Sequence, residues 1–199
     1  MNNMNLISEG EGYYVFDNCI PDIRVPMQVI RDLNHNGQFN YDCENVAGRL
    51  SANNIPYFSW LHFTFHHILT DAYSLIRDTK PSYNFLMQYL PGSEMYKHTD
   101  RPQCKWNFAL QIHGESPFFI EQGENKGFKP IGNIRIEDTD FEDHRVFKEK
   151  QEPHRIILKP NMGILYSGTD NAHWLPPEEF YRAACVFHFV DKDFKGSLN

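Results

Sequence analysis

Basic residues are in short supply in this 199-residue chain: 19 Lys and Arg stand against 26 Asp and Glu, for a formal net charge of −7. A protein that grips a phosphate backbone needs a basic face, so general nucleic-acid binding is not expected. Cysteine is equally thin. Cys19, Cys43, Cys104 and Cys185 are scattered without C-x-x-C spacing, which argues against a zinc knuckle or a disulfide framework. No apolar run approaches the length of a membrane span. Met1 to Tyr14 is polar and acidic, with neither a signal-peptide apolar stretch nor transit-peptide basicity. A cytoplasmic protein without membrane association is therefore the expectation. Internal repeats and low-complexity tracts are absent as well, and a single domain over residues 1–199 is expected at this length.

What the chain has in abundance is aromatic residues. Sixteen Phe and ten Tyr suit a β-rich core, because flat and branched side chains pack well on a pleated surface. Gly12 to Cys19 reads as a first strand and Val25 to Leu33 as a Pro-bounded helix. Leu33 to Pro56 is polar and Asn-rich and reads as loop with short elements. Tyr57 to Asp78 has no Gly or Pro and carries Trp60, Phe63, Ile68, Ala72 and Ile76 at helical spacing, which predicts a helix laid against a sheet. The adjacent His66 and His67 would point about 100° apart on that helix and read as structural. An aromatic strand then ends at a Pro91-Gly92 turn, and a second short strand runs to Asp100. Further strands are expected at Trp106–His113, Pro117–Gln122, Arg155–Lys159, Met162–Tyr166 and Arg182–Asp191. Short strands closing on themselves make a double-sheet jelly roll. The expected fold class is mainly β with flanking α-helices, with residues 1–80 as support and residues 81–192 as the jelly-roll core.

Within that frame, His98, Asp100 and His173 stand out, with Arg182 nine positions beyond the last of them. Side chains alternate faces along a strand, so His98 and Asp100 project to one side while Thr99 points away. Two imidazoles and one carboxylate can occupy one face of an octahedral Fe(II) and leave the opposite face open, the ligand pattern of mononuclear non-haem iron oxygenases. His173 would supply the third ligand from another strand. An isolated His98 or His173 would read as an ordinary polar residue; the spacing of all three, with Arg182 behind them, favours the metal. Arg182 could instead be an edge-strand charge paired with Glu178 or Glu179. Its guanidinium is also a natural bidentate partner for a buried carboxylate. His188 lies an even number of residues from Arg182, so it could face the interior, where it reads as a core histidine.

At these residues the chain resembles the 2-oxoglutarate/Fe(II)-dependent dioxygenases, and within them the compact branch that looks like prolyl hydroxylases. The resemblance spans roughly residues 83 to 191 and is carried by the Tyr89-Leu90-Pro91-Gly92 turn, by His98-Thr99-Asp100, by the Gly168-to-Trp174 segment, and by Arg182 heading the last strand. It implies a double-stranded β-helix fold and a hydroxylase. It also implies Fe(II) held by His98, Asp100 and His173, and the 2-oxoglutarate co-substrate held by Arg182 with Tyr89 lining its pocket. O₂ and an unidentified prime substrate, a peptide, amino acid or small metabolite, would be the other partners. The chain departs from the family pattern twice. Ala184 stands where a Ser or Thr is usual, and Gln111 falls roughly where some members place a Tyr on the distal carboxylate.

Residues 123–153 form a long charged insertion in which Glu137, Asp138, Asp140, Glu142 and Asp143 crowd together. Such a segment reads either as a solvated loop or as a lid over the barrel mouth that recognises a basic substrate group. Three other readings remain open on the sequence: a cupin-like metal enzyme that does not use 2-oxoglutarate, a metal-dependent lyase or isomerase without 2-oxoglutarate, and a non-catalytic jelly-roll binding module.

Overall fold

The strand signals resolve into one curled, fully antiparallel sheet with helices against its outer face. The computed structural model describes residues 4–41, 46–122 and 152–196. In chain order these form β1 (Asn5–Gly10), β2 (Tyr13–Asp17), α1 (Arg24–His35), β3 (Asn40–Tyr41), β4 (Val46–Asn53), α2 (Pro56–His67), β5 (Thr79–His98), β6 (Trp106–His113), β7 (Ser116–Gln122), β8 (His154–Leu158), β9 (Gly163–Ser167), β10 (Asn171–Leu175) and β11 (Arg182–Asp191). Hydrogen bonding orders the strands β1-β2-β9-β6-β11-β5-β10-β7-β8, with β4 on β5 and β3 beyond it. The first half of β5 pairs with β11, and its far end, at Met95 and His98, pairs with β10. One strand thus passes from one layer of the jelly roll to the other. The expected insertion at 123–153, apart from 152 and 153, lies outside the described residues, and so does Cys43. The other three cysteines are buried and in no disulfide. Among the described residues no helix is long and apolar enough to cross a membrane.

Residue parity sorts the strands between two cores. Along β11, Ala183, Cys185, Phe187 and Phe189 face the helices together with Phe108 and Leu110 of β6 and Leu86 of β5. Ala184 and Val186 face the barrel interior with Met87, Tyr89, Ala109, Phe118 and Ile164. A strand apolar on both faces reads as an unbroken hydrophobic run, as Arg182–Asp191 does, because both of its faces are covered.

Four local expectations are revised. The chain does not turn at Pro91-Gly92: β5 is continuous over 20 residues. Gly92 takes a φ of 82°, open to glycine and strained for other residues, and its N–H donates to the Glu178 carbonyl. The bend is a bulge rather than a hairpin. The segment expected as loop from Leu33 to Pro56 contains β4, whose Arg49 and Ser51 point into a cavity; polar inward residues erased its alternation. β1 pairs only with β2 and is largely exposed, so no apolar pattern announced it. The long helix stops at His67 and continues only as a π-turn over Ile68–Ala72. Ser74 and Ile76 beyond it have positive φ, 60° and 45°, which no helix accommodates.

The face that α2 buries also differs from the expected one. Trp60 and Phe63 are 60% and 66% exposed, while Phe58, Leu61, His62, Phe65 and the following Leu69 are buried. This segment carries apolar residues at helical spacing on both sides, so periodicity alone could not choose between them. The Phe65 ring settles it, lying 4.6 Å from that of Phe108 and 5.2 Å from that of Phe187. Phe65→Ala should cost about 3–5 kcal/mol of folding stability and Phe63→Ala less than about 0.5 kcal/mol. Urea unfolding of the pair checks the assignment, and equal losses would contradict it.

His62 sits in this core as a neutral ring. Its Nε2 donates to the His188 carbonyl at 2.9 Å, and burial pulls its pKa down to about 4. The unfolded chain holds the proton up to a pH of about 6.5, so between these values the unfolded state binds more protons. Stability attributable to His62 is therefore complete above about 6.5, declines as the pH falls, and stops declining below about 4. Unfolding free energies of His62→Gln should fall less steeply than wild type over that window. An unchanged slope would assign the loss to other groups.

Candidate metal centre and interior cavity

Two strands bring the predicted ligands together. His98 ends β5 and pairs directly with His173 on β10, so the imidazoles of residues 75 apart in sequence become cross-strand neighbours, with ring centroids 4.4 Å apart. Asp100, just past β5, is fixed by its own backbone: its N–H donates to the Gly168 carbonyl at 2.7 Å. The carboxylate lies between the rings, with Oδ1 3.4 Å from His98 Nε2 and Oδ2 3.5 Å from His173 Nε2. One donor atom from each residue falls within 4.8 Å of the others, a spacing that lets all three reach one ion.

Hydrogen bonds around the three side chains prepare them as donors. His98 Nδ1 meets the Tyr96 carbonyl at 2.6 Å, and His173 Nδ1 meets that of Asn171 at 3.0 Å. A carbonyl can only accept, so each Nδ1 carries the proton and each Nε2 turns a lone pair toward the centre. Burial pulls the His173 pKa down to about 4, keeping that ring neutral. For Asp100, burial works against the charge, but in acid, where the His173 ring is protonated, its charge and that of His98 outweigh it and hold the carboxyl below the usual carboxylate range. Asn107 on β6 donates through Nδ2 to Asp100 Oδ2. Tyr166 and Phe118 confine the His173 ring, at 4.6 and 5.9 Å between centroids. Gly168 is required by contact: a Cβ there would fall within 3.0 Å of Asn107 Nδ2, the Cys104 carbonyl and Asp100 Oδ2.

The centre opens on a cavity of about 610 Å³ lined by residues of both sheets, inside the roughly 300–1,000 Å³ range of small-molecule sites. Beyond one end lies Arg182, 1% exposed. Its Nη1 donates to Ser116 Oγ at 3.2 Å and its Nη2 to the carbonyls of Ser93 and Pro176 at 3.0 and 3.3 Å. Its guanidinium carbon lies 5.1 Å from the ring centre of Tyr89, its cross-strand partner. No ion pair to a carboxylate is present among the described residues, and its Nε has no hydrogen-bond partner there. Arg182 does not itself line the cavity, but Tyr89, Ser116 and Ala184 do. Glu178 attracts Arg182 only from beyond contact distance, and no contact ion pair with Glu178 or Glu179 is present. A buried guanidinium with no contact ion pair is costly, and its setting fits an anion entering from the cavity.

Gln111 lines the same end, with Nε2 donating to the carbonyls of His113 and Gly114 at 2.7 and 3.0 Å. His188 faces inward, as parity allowed, and lines the cavity as part of an aromatic wall. His66 and His67 stay outside it: His66 Nε2 meets the Thr79 carbonyl, and His67 pairs with Asp71 on the surface. Sequence reading missed Asn107, Ser116, Arg49 and Arg101. Only Arg101, next to Asp100, carried a positional signal.

No family model matches the chain, and no curated protein matches it in sequence. Solved structures do match it in shape. A prolyl-4-hydroxylase from Pseudomonas putida superposes with a TM-score of 0.65 at 12% identity, over 91% of this chain and 93% of that one. A prolyl hydroxylase from Trichoplax adhaerens, in complex with a hypoxia inducible factor peptide fragment, gives 0.62 at 14% identity over 91% and 84%. HygX from Streptomyces hygroscopicus, with nickel, 2-oxoglutarate and hygromycin B bound, gives 0.57 at 12% identity over 92% and 84%. What the chain shares with them at these identities is the fold, a double-stranded β-helix.

Proposed function

We propose that this chain is an Fe(II)- and 2-oxoglutarate-dependent oxygenase that hydroxylates a peptide, amino acid or small metabolite. The observation that carries the reading is the convergence of His98, Asp100 and His173 on one side of an interior cavity that has a buried Arg182, without a contact ion pair among the described residues, beyond its end. HygX, with nickel and 2-oxoglutarate bound in the same fold, supports it. His98 Nε2, His173 Nε2 and the Asp100 carboxylate would hold the metal, and Asn107 would keep that carboxylate oriented. Arg182 would take the distal carboxylate of 2-oxoglutarate, with Ser116 beside its Nη1 and the Tyr89 ring against its face. When bound, Fe(II) supplies the redox chemistry that couples decarboxylation of 2-oxoglutarate, to succinate and CO₂, with transfer of one oxygen atom of O₂ to the substrate and the other to succinate. Met87, Phe118, Leu175 and Val186 supply the apolar part of a wall that is otherwise polar. Retention of Asp100 leaves a three-ligand centre, which favours hydroxylation.

The metal assignment is tested by titration. His98→Ala, Asp100→Ala and His173→Ala should each lower Fe(II) affinity sharply while the fold is kept, and Asn107→Ala should lower it about 10–100-fold through the lost bond to Asp100. Undiminished binding in any two of the ligand variants would remove this site from consideration. Co-substrate binding is tested at Arg182. Arg182→Ala should raise the apparent KM for 2-oxoglutarate far more than it changes metal affinity, with Arg182→Lys intermediate because it keeps the charge and loses the planar fork. Succinate formation against 2-oxoglutarate concentration is the measurement. An unchanged dependence would make Arg182 structural.

A further inference from the structure

The cavity wall on the substrate side is a ladder of stacked groups. Tyr83 and Phe85 lie two residues apart on β5, and His188 of β11 stacks on both, with centroids at 4.2 and 5.2 Å and interplanar angles of 19° and 21°. Each end of the ladder carries a guanidinium. The Arg101 carbon lies 5.9 Å from the Tyr83 ring centre, and that of Arg49 lies 5.6 Å from the Phe85 ring centre. All five side chains line the cavity. Each guanidinium lies over its ring and lines the cavity, and Arg101 also interacts with the side chains of Tyr83 and Cys104.

The charge of the lining follows from the same residues. Among the described residues that line the cavity, Arg49, Arg101 and Asp100 are the only side chains that are not neutral or histidine. Asp100 is the sole carboxylate, and it lies between the two imidazoles. A divalent ion there gives the lining a net positive charge, and the balance stays positive when dianionic 2-oxoglutarate joins it. Arg101 directly follows Asp100 and its guanidinium lines the cavity over the Tyr83 ring; Asp100 attracts it without a contact ion pair, and none holds it among the described residues. A cationic substrate would meet repulsion on this wall, and an oxyanion would meet charge-assisted donors.

We propose that the prime substrate of this site carries an oxyanion, a carboxylate or a phosphate, anchored by Arg101 on the Tyr83–His188–Phe85 wall, with Arg49 adding to the positive field. This specificity is opposite in sign to the one that the lid reading of the acidic 137–143 cluster implies. It rests on the oxygenase reading for the identity of the site as a substrate site, though not for its anion binding.

The test is calorimetric titration of the Ni(II)-loaded protein, saturated with 2-oxoglutarate to fill the Arg182 end. The probes are benzoate, phenyl phosphate, benzamide and benzylamine. The oxyanions should bind and the amide and amine should not. A preference for benzoate marks carboxylic acid substrates and one for phenyl phosphate marks phosphate esters; either supports the proposal. Arg101→Gln should weaken oxyanion binding by about tenfold or more, equivalent to about 1.4 kcal/mol. Arg101→Lys, the milder change, should fall between. Benzylamine or benzamide binding as tightly as the oxyanions would overturn the proposal. So would absence of oxyanion binding to the wild type, or an unchanged dissociation constant in both Arg101 variants. A protein that takes up no 2-oxoglutarate would instead sink the oxygenase reading. In that case loss of benzoate binding in Arg101→Gln but not in Arg182→Gln still places the anion at Arg101, and the reverse overturns it.

Discussion

The pairing of β10 with β5 is the constraint on which the candidate centre depends. It sets His173 across from His98, and because strand side chains alternate with period two, a slip of one residue would turn one imidazole away from the cavity. Several contacts hold that register. β10 also pairs with β7 over Asn171 to Trp174, Trp174 stacks on Phe119 at 5.3 Å, and Lys97 pairs with Glu121 while its ammonium lies over the Trp174 ring. These groups lie on the outward side of the same strands. The outer face fixes the register that the inner face uses.

β11 shows how a single strand can serve structure and chemistry together. Its odd-numbered residues from Ala183 to Phe189 build the core under the helices, while Arg182, Ala184, Val186 and His188 belong to the interior. The helix layer anchors the strand through large aromatic contacts, so the interior positions are released from most of the packing demand. They can then carry a guanidinium and an imidazole, groups that burial alone would not favour.

Much of this was legible in the sequence. His98-Thr99-Asp100, His173 and Arg182 could be picked out because their chemistry depends on residue type and on even spacing within strands, and the β11 run was plain because both its faces are apolar. Other parts were hidden for identifiable reasons. β4 turns Arg49 and Ser51 inward, so it lacks the alternation that marks a half-buried strand. In α2 the exposed Trp60 and Phe63 are as apolar as the buried Phe58 and Phe65, and only the partners across the interface decide between faces. Asn107 and Ser116 are polar residues in apolar strands, and their significance comes from Asp100 and Arg182, which they meet only after folding. The Pro91-Gly92 pair was a true signal of irregular backbone with two structural solutions, and the hydrogen bond from Gly92 to Glu178 belongs to the bulge.

That bulge has a mechanical consequence. Because β5 crosses between the two layers without a break, the layers share one covalent and hydrogen-bonded spine, and His98 sits at its end. A hinge between the layers would have to break pairing on β5 with β11, β4 or β10. Such an opening would disturb His98 and Asp100 before it widened the cavity. The pairing of β5 with three neighbours therefore makes the barrel, among the described residues, a frame whose layers cannot part without breaking strand hydrogen bonds.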